Sequence, residues 1–286
     1  MEGFRMAYSM DGYDLDETYP NPYGDTREER FERLRDKEIA GYRAKTVRSG
    51  PMLEVETYPF WNCRNGNRAA KQKESRAAQR NLNNKNAVKN VVRLINTNFT
   101  EDDIWATYTY SDARLPPTVE AAQKEMAKYV KRLKTYAKKR GFAELKYIYV
   151  TEFENDPKKG KHRVHHHLVT NFPDRDIAEE KWKGGARTTT RRLQPDRFEY
   201  EGMARYITKD PRGNKRYVAS KNLKKPIITT ADHKFTRRGV ERLLRGGNAQ
   251  SKLEKLYKGY EFLDLKAFTS DYVSGAYVYV RMRRRQ

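Results

Sequence analysis

Hydrophobic and polar residues alternate along three segments of the chain, and all three segments are rich in β-branched and aromatic residues. They are IWATYTY at 104–110, YIYVTEFE at 147–154 and RVHHHLVT at 163–170. A period of two with these residue types predicts strands. Between the first two segments, apolar residues recur at helical spacing after Thr118, a suitable N-cap, and before Gly141. We therefore expect a helix over 118–140.

The order of these elements predicts the fold class. A short helix after Asp174 and a basic strand at 186–193 follow the third strand, which gives the split βαβ order of strands and helices. We predict an α+β fold of the ferredoxin or RRM type, with an antiparallel sheet and helices on one face. The strand 163–170 would then be central, and the helix 118–140 would cover the apolar back of the sheet. A further helix is expected over 197–209.

Charge is distributed unevenly along the chain. The 286 residues carry a net charge of +22. Residues 1–40 hold 6 Lys or Arg and 11 Asp or Glu, so residues 41–286 carry +27. The pattern predicts four parts: an acidic, partly flexible arm at 1–40, a basic extension at 41–99, a central domain at 100–226 and a second basic extension at 227–286. A chain this basic favours a polyanionic partner.

The cysteine content and the hydropathy pattern bear on the compartment. Cys63 is the single cysteine, which excludes an intrachain disulfide and suits a reducing cytoplasm. The sequence contains no apolar run of about 18 residues and no signal-peptide core at its N-terminus. We expect a soluble, cytoplasmic protein without a membrane partner.

Four of the five histidines lie in or beside the strand 163–170, and they indicate a metal site. Residues two apart on a strand share a face, so His165 and His167 point one way and His166 the other. If the strands 147–154 and 163–170 form a hairpin in which paired residue numbers sum to an odd value, Glu152 joins the two histidines. Two imidazoles and one carboxylate form a common open set for a divalent cation. The simpler alternatives are a solvated histidine run, or one buried histidine bonded to the backbone.

A second group of reactive side chains lies on the helix predicted over 197–209. Tyr206 and Lys209 are three residues apart and share one helix face. A phenol with its ordinary pKa of about 10 is a poor nucleophile at neutral pH, but a nearby ammonium and a metal-polarised phosphate favour its attack. Tyr200 lies six residues earlier, and a helix rotates by about 100° per residue, so Tyr200 and Tyr206 cannot face the same site. The simpler alternative is an aromatic side chain that only packs.

Taken together, these motifs resemble the HUH endonucleases, the single-tyrosine replication initiators of rolling-circle phages, plasmids and integrated elements. WATYTY at 105–110 is similar to the first strand motif of the family, HRVHHHLV at 162–169 to its histidine motif, and YITK at 206–209 to its tyrosine motif. The resemblance covers roughly residues 90–226. The chain departs from the family at His166, where an apolar residue is usual, so a ligand pair of His162 and His165 stays open.

The resemblance implies a metal-dependent enzyme that nicks and rejoins single-stranded DNA at a replication origin. Mg²⁺ or Mn²⁺ would bind His165, His167 and Glu152. Tyr206 would attack the scissile phosphate and keep the 5′ phosphate as a phosphotyrosine, while Lys209 would orient the phosphate or stabilise the phenolate. The 3′ hydroxyl would be free for a polymerase, so a host polymerase and helicase are expected partners.

Basic residues outside these motifs are expected to bind DNA phosphates. They are Arg187, Arg191, Arg192, Lys221 and Lys224. Two other functions remain compatible with the sequence. One is a binding module that stacks single-stranded bases without any chemistry. The other is a transposase or relaxase with the same site and a different DNA substrate.

Overall fold

The computed structural model describes residues 39–61, 77–156, 161–209, 216–245, 248–270 and 273–285. In chain order, the elements are β1 (Ile39–Ser49), β2 (Met52–Trp61), α1 (Ala77–Asn98), β3 (Ile104–Tyr110), α2 (Val119–Arg140), β4 (Tyr147–Asp156), β5 (Lys161–Thr170), α3 (Arg175–Glu180), β6 (Gly185–Arg192), α4 (Glu201–Ile207), β7 (Val218–Ala219), β8 (Ile227–Phe235), α5 (Arg237–Leu244), α6 (Ala249–Leu256), β9 (Tyr260–Ser270) and β10 (Val273–Arg284). They form two compact units. The central unit comprises the described residues from 77 to 226, and the terminal unit those of 39–61 and 227–285.

The central unit is built on a five-stranded sheet with the strand order β6-β3-β5-β4-β7. Its neighbouring strands are antiparallel. The histidine strand β5 lies between β3 and β4, as the sequence predicted. The α+β class is therefore confirmed.

Helix α2 covers the back of this sheet, as its apolar stripe predicted. Met126, Tyr129 and Leu133 of α2 are fully buried and pack in one core with Tyr149 and Leu168 of the sheet. The ends of the helix are also as predicted. The side chain of Thr118 accepts a hydrogen bond from the amide of Ala121. Gly141 closes the helix in the left-handed region at φ 70°, where a residue without Cβ is favoured.

The expectation of helices on one face only is wrong, because α1 and α4 pack against the other face. Val91 and Ile95 of α1 share a buried core with Ile207 of α4 and with Ile148 and Val169 of the sheet. The sheet residues are apolar on both faces at this end, so each face needs a cover. The sequence placed α1 in a basic extension, but its apolar residues recur at helical spacing and bind it to the central sheet.

The terminal unit joins the two segments that the sequence treated as separate basic extensions. Its five-stranded sheet has the order β8-β1-β2-β10-β9, so β1 and β2 pair with strands from the end of the chain. Helices α5 and α6 cover one side through Val240 and Leu253, which pack on Val55 and Val278. Apart from its last two residues, the acidic arm 1–40 lies outside the described residues. Within the described part of the chain, no helix is long and apolar enough to cross a membrane.

Candidate active site

A pocket of about 550 Å³ opens on the face of the central sheet that carries His165 and His167. Its walls come from β3, β4, β5, β6 and the end of α4, which are far apart in the sequence. The lining residues are Thr107, Thr109, Glu152, His165, His167, Arg187, Thr189, Tyr206 and Lys209. The structure thus brings together all five residues that the sequence proposed for metal binding and catalysis, and it adds one of the proposed DNA-binding arginines.

The pairing of β4 with β5 places Glu152 beside the two histidines. Glu152 lies directly opposite His165, so the predicted odd register is confirmed. His167 is two residues further along β5 and faces the same way. Its Nε2 lies 3.2 Å from Oε2 of Glu152. The three side chains therefore meet at one point of the pocket wall.

The imidazole of His167 is held at both ring nitrogens. Its Nδ1 lies 3.1 Å from Oγ1 of Thr107 on β3, the residue that pairs with His167 across the two strands. The ring is only 3% exposed. Two contacts on opposite sides of a buried ring fix both its plane and the direction of Nε2. Thr107 therefore orients His167 toward Glu152 and the pocket.

Electrostatics keep Glu152 ionised. The hydrogen bond from His167, together with the attraction of His167, His165 and Lys209, lowers the pKa of this carboxyl against the opposing effect of burial. A carboxylate must be deprotonated to bind a metal ion. The positively charged groups around Glu152 therefore hold it in the state that a ligand needs.

The chemistry of these residues fits a divalent cation. Glu152, His165 and His167 offer one oxygen-bearing and two nitrogen-bearing side chains on one wall of an open pocket, a set that suits such ions. In the described part of the chain, no three His, Cys, Asp or Glu side chains stand in the geometry of a formed metal site. Since Glu152 and His167 are hydrogen-bonded to each other, binding a cation between them would replace that bond.

His166, the departure from the usual motif, has a structural role on the opposite face. Its ring is fully buried, with Nε2 at 2.8 Å from the hydroxyl of Tyr110 and Nδ1 at 3.1 Å from that of Thr151. Burial lowers its pKa to about 3, and repulsion by His165 and His167 acts in the same direction. The interpretation of one buried, satisfied histidine thus describes His166.

Tyr206 projects from α4 into the pocket. Its ring makes edge contacts with His167 at 5.6 Å and with Trp105 at 6.0 Å between ring centroids, and 42% of the residue is exposed. Lys209 follows the end of the helix, where its amide donates to the carbonyl of Tyr206. On the other side of α4, Ile207 is buried against the core with α1. The hydroxyl-bearing ring therefore stands on a fixed helix at the edge of the histidine pair.

The competing tyrosines are turned away from the pocket. Tyr200 is only 6% exposed and packs in the core beside α1, and burial raises its pKa to about 12. Tyr217 packs against the same core, and burial raises its pKa as well. The predicted helix 197–209 in fact begins at Glu201, so burial, rather than helical rotation, separates Tyr200 from Tyr206.

The arginines proposed for DNA binding divide between the two faces of β6. Arg187 lines the pocket. Arg191 is exposed and shares the face of Arg187, opposite Trp105 on β3. Arg192 points the other way, and its guanidinium donates to the backbone carbonyls of Asp102 and Pro173. Two of the three arginines therefore stand where a strand entering the pocket would pass.

The two lysines proposed for DNA binding lie away from the pocket. Lys221 and Lys224 belong to the segment after β7, which pairs with the Tyr147 end of β4. Five residues of strand separate that end from Glu152, which is about 17 Å. The backbone of Lys224 is also bonded in both directions to the side chain of Asn98.

Sequence reasoning missed the three threonines of the pocket. Thr107 and Thr109 belong to β3 and Thr189 to β6. Their alternation in WATYTY and RTTTRR shows that they share a face of their strands, which was a usable signal. It could not show that this face carries the histidines, because β3 and β5 pair across about 60 intervening residues.

Comparison with known proteins is consistent with this geometry. Residues 103–211 match the model of a family described as replication-associated protein ORF2. The matched segment runs from β3 past α4 and contains every residue that lines the pocket. No curated protein and no solved structure shows significant similarity to the chain. The family match supports a role in DNA replication, as a replication initiator.

Proposed function

We propose that the chain initiates rolling-circle replication by nicking and rejoining single-stranded DNA through Tyr206, with the aid of a divalent metal ion. One observation carries the proposal. An exposed tyrosine and a lysine from α4 meet two histidines and a carboxylate from a hairpin at a single pocket. The match of this segment to a replication-associated family supports it independently.

The pocket suits a DNA phosphate. Arg187 and Lys209 supply positive charge at its rim, and the hydroxyls of Thr107, Thr109 and Thr189 line its wall. The net charge of +22 attracts nucleic acid over a longer range. A flexible single strand can bring one phosphodiester to Tyr206 without opening a duplex.

The reaction is an exchange of phosphate esters. The Tyr206 oxygen attacks the phosphorus, the bond to the 3′ oxygen breaks, and the 5′ phosphate remains on the tyrosine. The phenol proton leaves to solvent, which reaches this half-exposed side chain, and the departing 3′ oxygen takes a proton from water. Lys209 stabilises the phenolate and the charge on the phosphate. The new ester resembles the old one in energy, so a 3′ hydroxyl can later reverse the step.

Glu152, His165 and His167 are the residues that would hold Mg²⁺ or Mn²⁺. When bound, such an ion polarises a phosphate oxygen as a Lewis acid. The residues of the chain prepare the site in two ways. Thr107 orients the ring of His167, and the surrounding positive groups keep Glu152 ionised.

The proposal is tested by incubating the protein with random and candidate-origin oligonucleotides plus Mn²⁺ and scoring covalent protein–DNA adducts on denaturing gels. Wild type should form an adduct that EDTA suppresses. The double variant His165→Ala/His167→Ala should lose the adduct while binding single strands within about tenfold of wild type, because charge dominates affinity. The freed 3′ hydroxyl should also serve as a primer for a polymerase.

The same assay distinguishes the competing functions. If wild type forms no adduct with any strand, the chain is a binding module, and loss of its histidines should change nothing. If an adduct forms only on mobile-element ends or transfer origins, the chain is a transposase or relaxase with the same chemistry.

A further inference from the structure

A stripe of lysines runs along the solvent face of α2. Lys124, Lys131 and Lys138 are all exposed and recur every seven residues. Because an α-helix turns about 100° per residue, the three stay within roughly 40° of one another over about 21 Å. In the described part of the chain, none of the three forms an ion pair. Lys128 lies beside them and pairs with Glu125.

The stripe is separate from the pocket of Tyr206. The buried side of α2 packs on the sheet face that carries Leu168 and Tyr149, whereas the pocket opens on the face of His165 and His167. Neighbouring residues of β5 point to opposite faces. The lysines are therefore not part of the site described above.

An aromatic cluster stands at the C-terminal end of the stripe. Phe142, directly after the helix-ending glycine, is 37% exposed and packs edge-on against the buried Phe172 at 6.1 Å. Tyr136 lies beside both rings. Arg140 and Lys181 hold their charges 5.5 Å and 5.4 Å from the Tyr136 ring. An exposed aromatic ring surrounded by cations thus continues the line of lysines.

We infer that the lysine stripe and Phe142 form a second binding surface for single-stranded DNA. The lysines neutralise successive phosphates, and a base stacks on Phe142. The inference rests on the proposed function for the nature of the polyanion. A membrane surface fits poorly, because the apolar side of α2 is already buried in the core and would be needed to insert. Phe142 favours a single strand over a duplex, since only unpaired bases are free to stack on it.

The charge arm of the test compares two triple variants with the same change in net charge. Lys124→Gln/Lys131→Gln/Lys138→Gln removes the stripe and keeps residues that favour helix. The control replaces three exposed lysines of the terminal unit by Gln: Lys252, Lys255 and Lys258. The probe is a single strand of about 40 nucleotides, longer than a typical binding site. We expect the stripe variant to bind at least tenfold more weakly, with the slope of log K against log salt reduced by roughly 2. Equal losses in the two variants would overturn the inference.

The stacking arm uses Phe142. Phe142→Leu keeps an apolar side chain against Phe172 but offers no ring, and it should weaken binding of the long strand about tenfold. Phe142→Trp should bind as wild type or better. If Phe142→Leu binds as tightly as wild type, the surface is not a stacking platform and the inference fails.

Adduct formation keeps this inference apart from the proposed function. On an oligonucleotide of about 10 nucleotides at saturating concentration, the stripe variant should form the Tyr206 adduct at the wild-type rate. A lost adduct would place the lysines in the catalytic pocket and contradict a separate surface. If wild type itself forms no adduct but the stripe still governs binding, the proposed function fails and the DNA-binding surface stands.

Discussion

Replacing Thr107 by Val is the most informative change within the pocket. The substitution keeps the volume of the side chain and removes the hydroxyl that contacts Nδ1 of His167 at 3.1 Å. For His167 to bind a metal through Nε2, Nδ1 must carry the proton and donate it to Thr107. Without the hydroxyl, neither the tautomer nor the ring direction is specified.

The size of the effect follows from the burial of the ring. Only 3% of His167 is exposed, so water does not readily replace the lost partner. A buried group left without its hydrogen bond costs about 1–3 kcal/mol, and loss of a residue that orients a metal ligand weakens metal binding by about 10–100-fold. We therefore expect Thr107→Val to lower the free energy of unfolding by that amount and to raise the half-saturating Mn²⁺ concentration at least tenfold.

The assay is a Mn²⁺ titration of the rate of adduct formation, together with urea unfolding of each variant. Thr107→Ser keeps the hydroxyl and should stay within a few-fold of wild type. Thr189→Val is the matched control, because Thr189 lines the same pocket opposite Thr107 on β6 and belongs to a strand that does not pair with β5. A Thr107→Val protein with the Mn²⁺ dependence of Thr189→Val would refute the positioning argument.

Three further predictions concern other residues of the central unit. The pKa of His166 falls from an ordinary 6.5 to about 3 on folding, so the unfolded chain binds more protons between these pH values. Stability should decline as pH drops through that window, by up to about 1.4 kcal/mol per pH unit, and urea unfolding of His166→Leu should show a flatter pH dependence. Arg187→Gln should slow adduct formation, whereas Arg192→Gln should mainly lower the melting temperature, since Arg187 lines the pocket and Arg192 holds backbone carbonyls. Lys209→Gln should slow the adduct step at saturating DNA more than it weakens binding; an unchanged rate would remove Lys209 from the chemistry.

The local parts of the central unit could be predicted from the sequence. Helix α2 carries its own N-cap at Thr118 and its own C-terminal glycine, and its buried stripe needs no partner to be recognised. The β4–β5 hairpin connects neighbouring strands, so alternation was enough to limit its register. The pairing of Glu152 with His165 therefore followed from the order of residues within one hairpin.

Pairings between distant segments could not be predicted. Strand β8 pairs with β1, and Arg43 meets Asp232 across 189 residues. Neither strand indicates its partner, because β-pairing depends on backbone hydrogen bonds that any extended segment can offer. Helical spacing after Gln250 also continues to Phe262, although α6 ends at Leu256 and Gly259 adopts a positive φ of 83° before β9.

The candidate site shows the same division. His165, His167 and Glu152 could be grouped because they lie on one hairpin, and Tyr206 because a lysine follows it closely in the chain. Thr107 could not be assigned to His167, since that contact depends on the pairing of β3 with β5. The face that Arg192 presents was equally out of reach, because on an edge strand it depends on the register with β3.

The most direct test of the account is the covalent adduct of Tyr206→Phe. The change removes one oxygen from a half-exposed ring, so folding and DNA affinity should stay close to wild type. The adduct with single-stranded DNA in Mn²⁺ should disappear completely, while Tyr200→Phe and Tyr217→Phe should retain it. Peptide mapping of the wild-type adduct by mass spectrometry should place the phosphate on Tyr206. An adduct that persists in Tyr206→Phe would contradict the central claim.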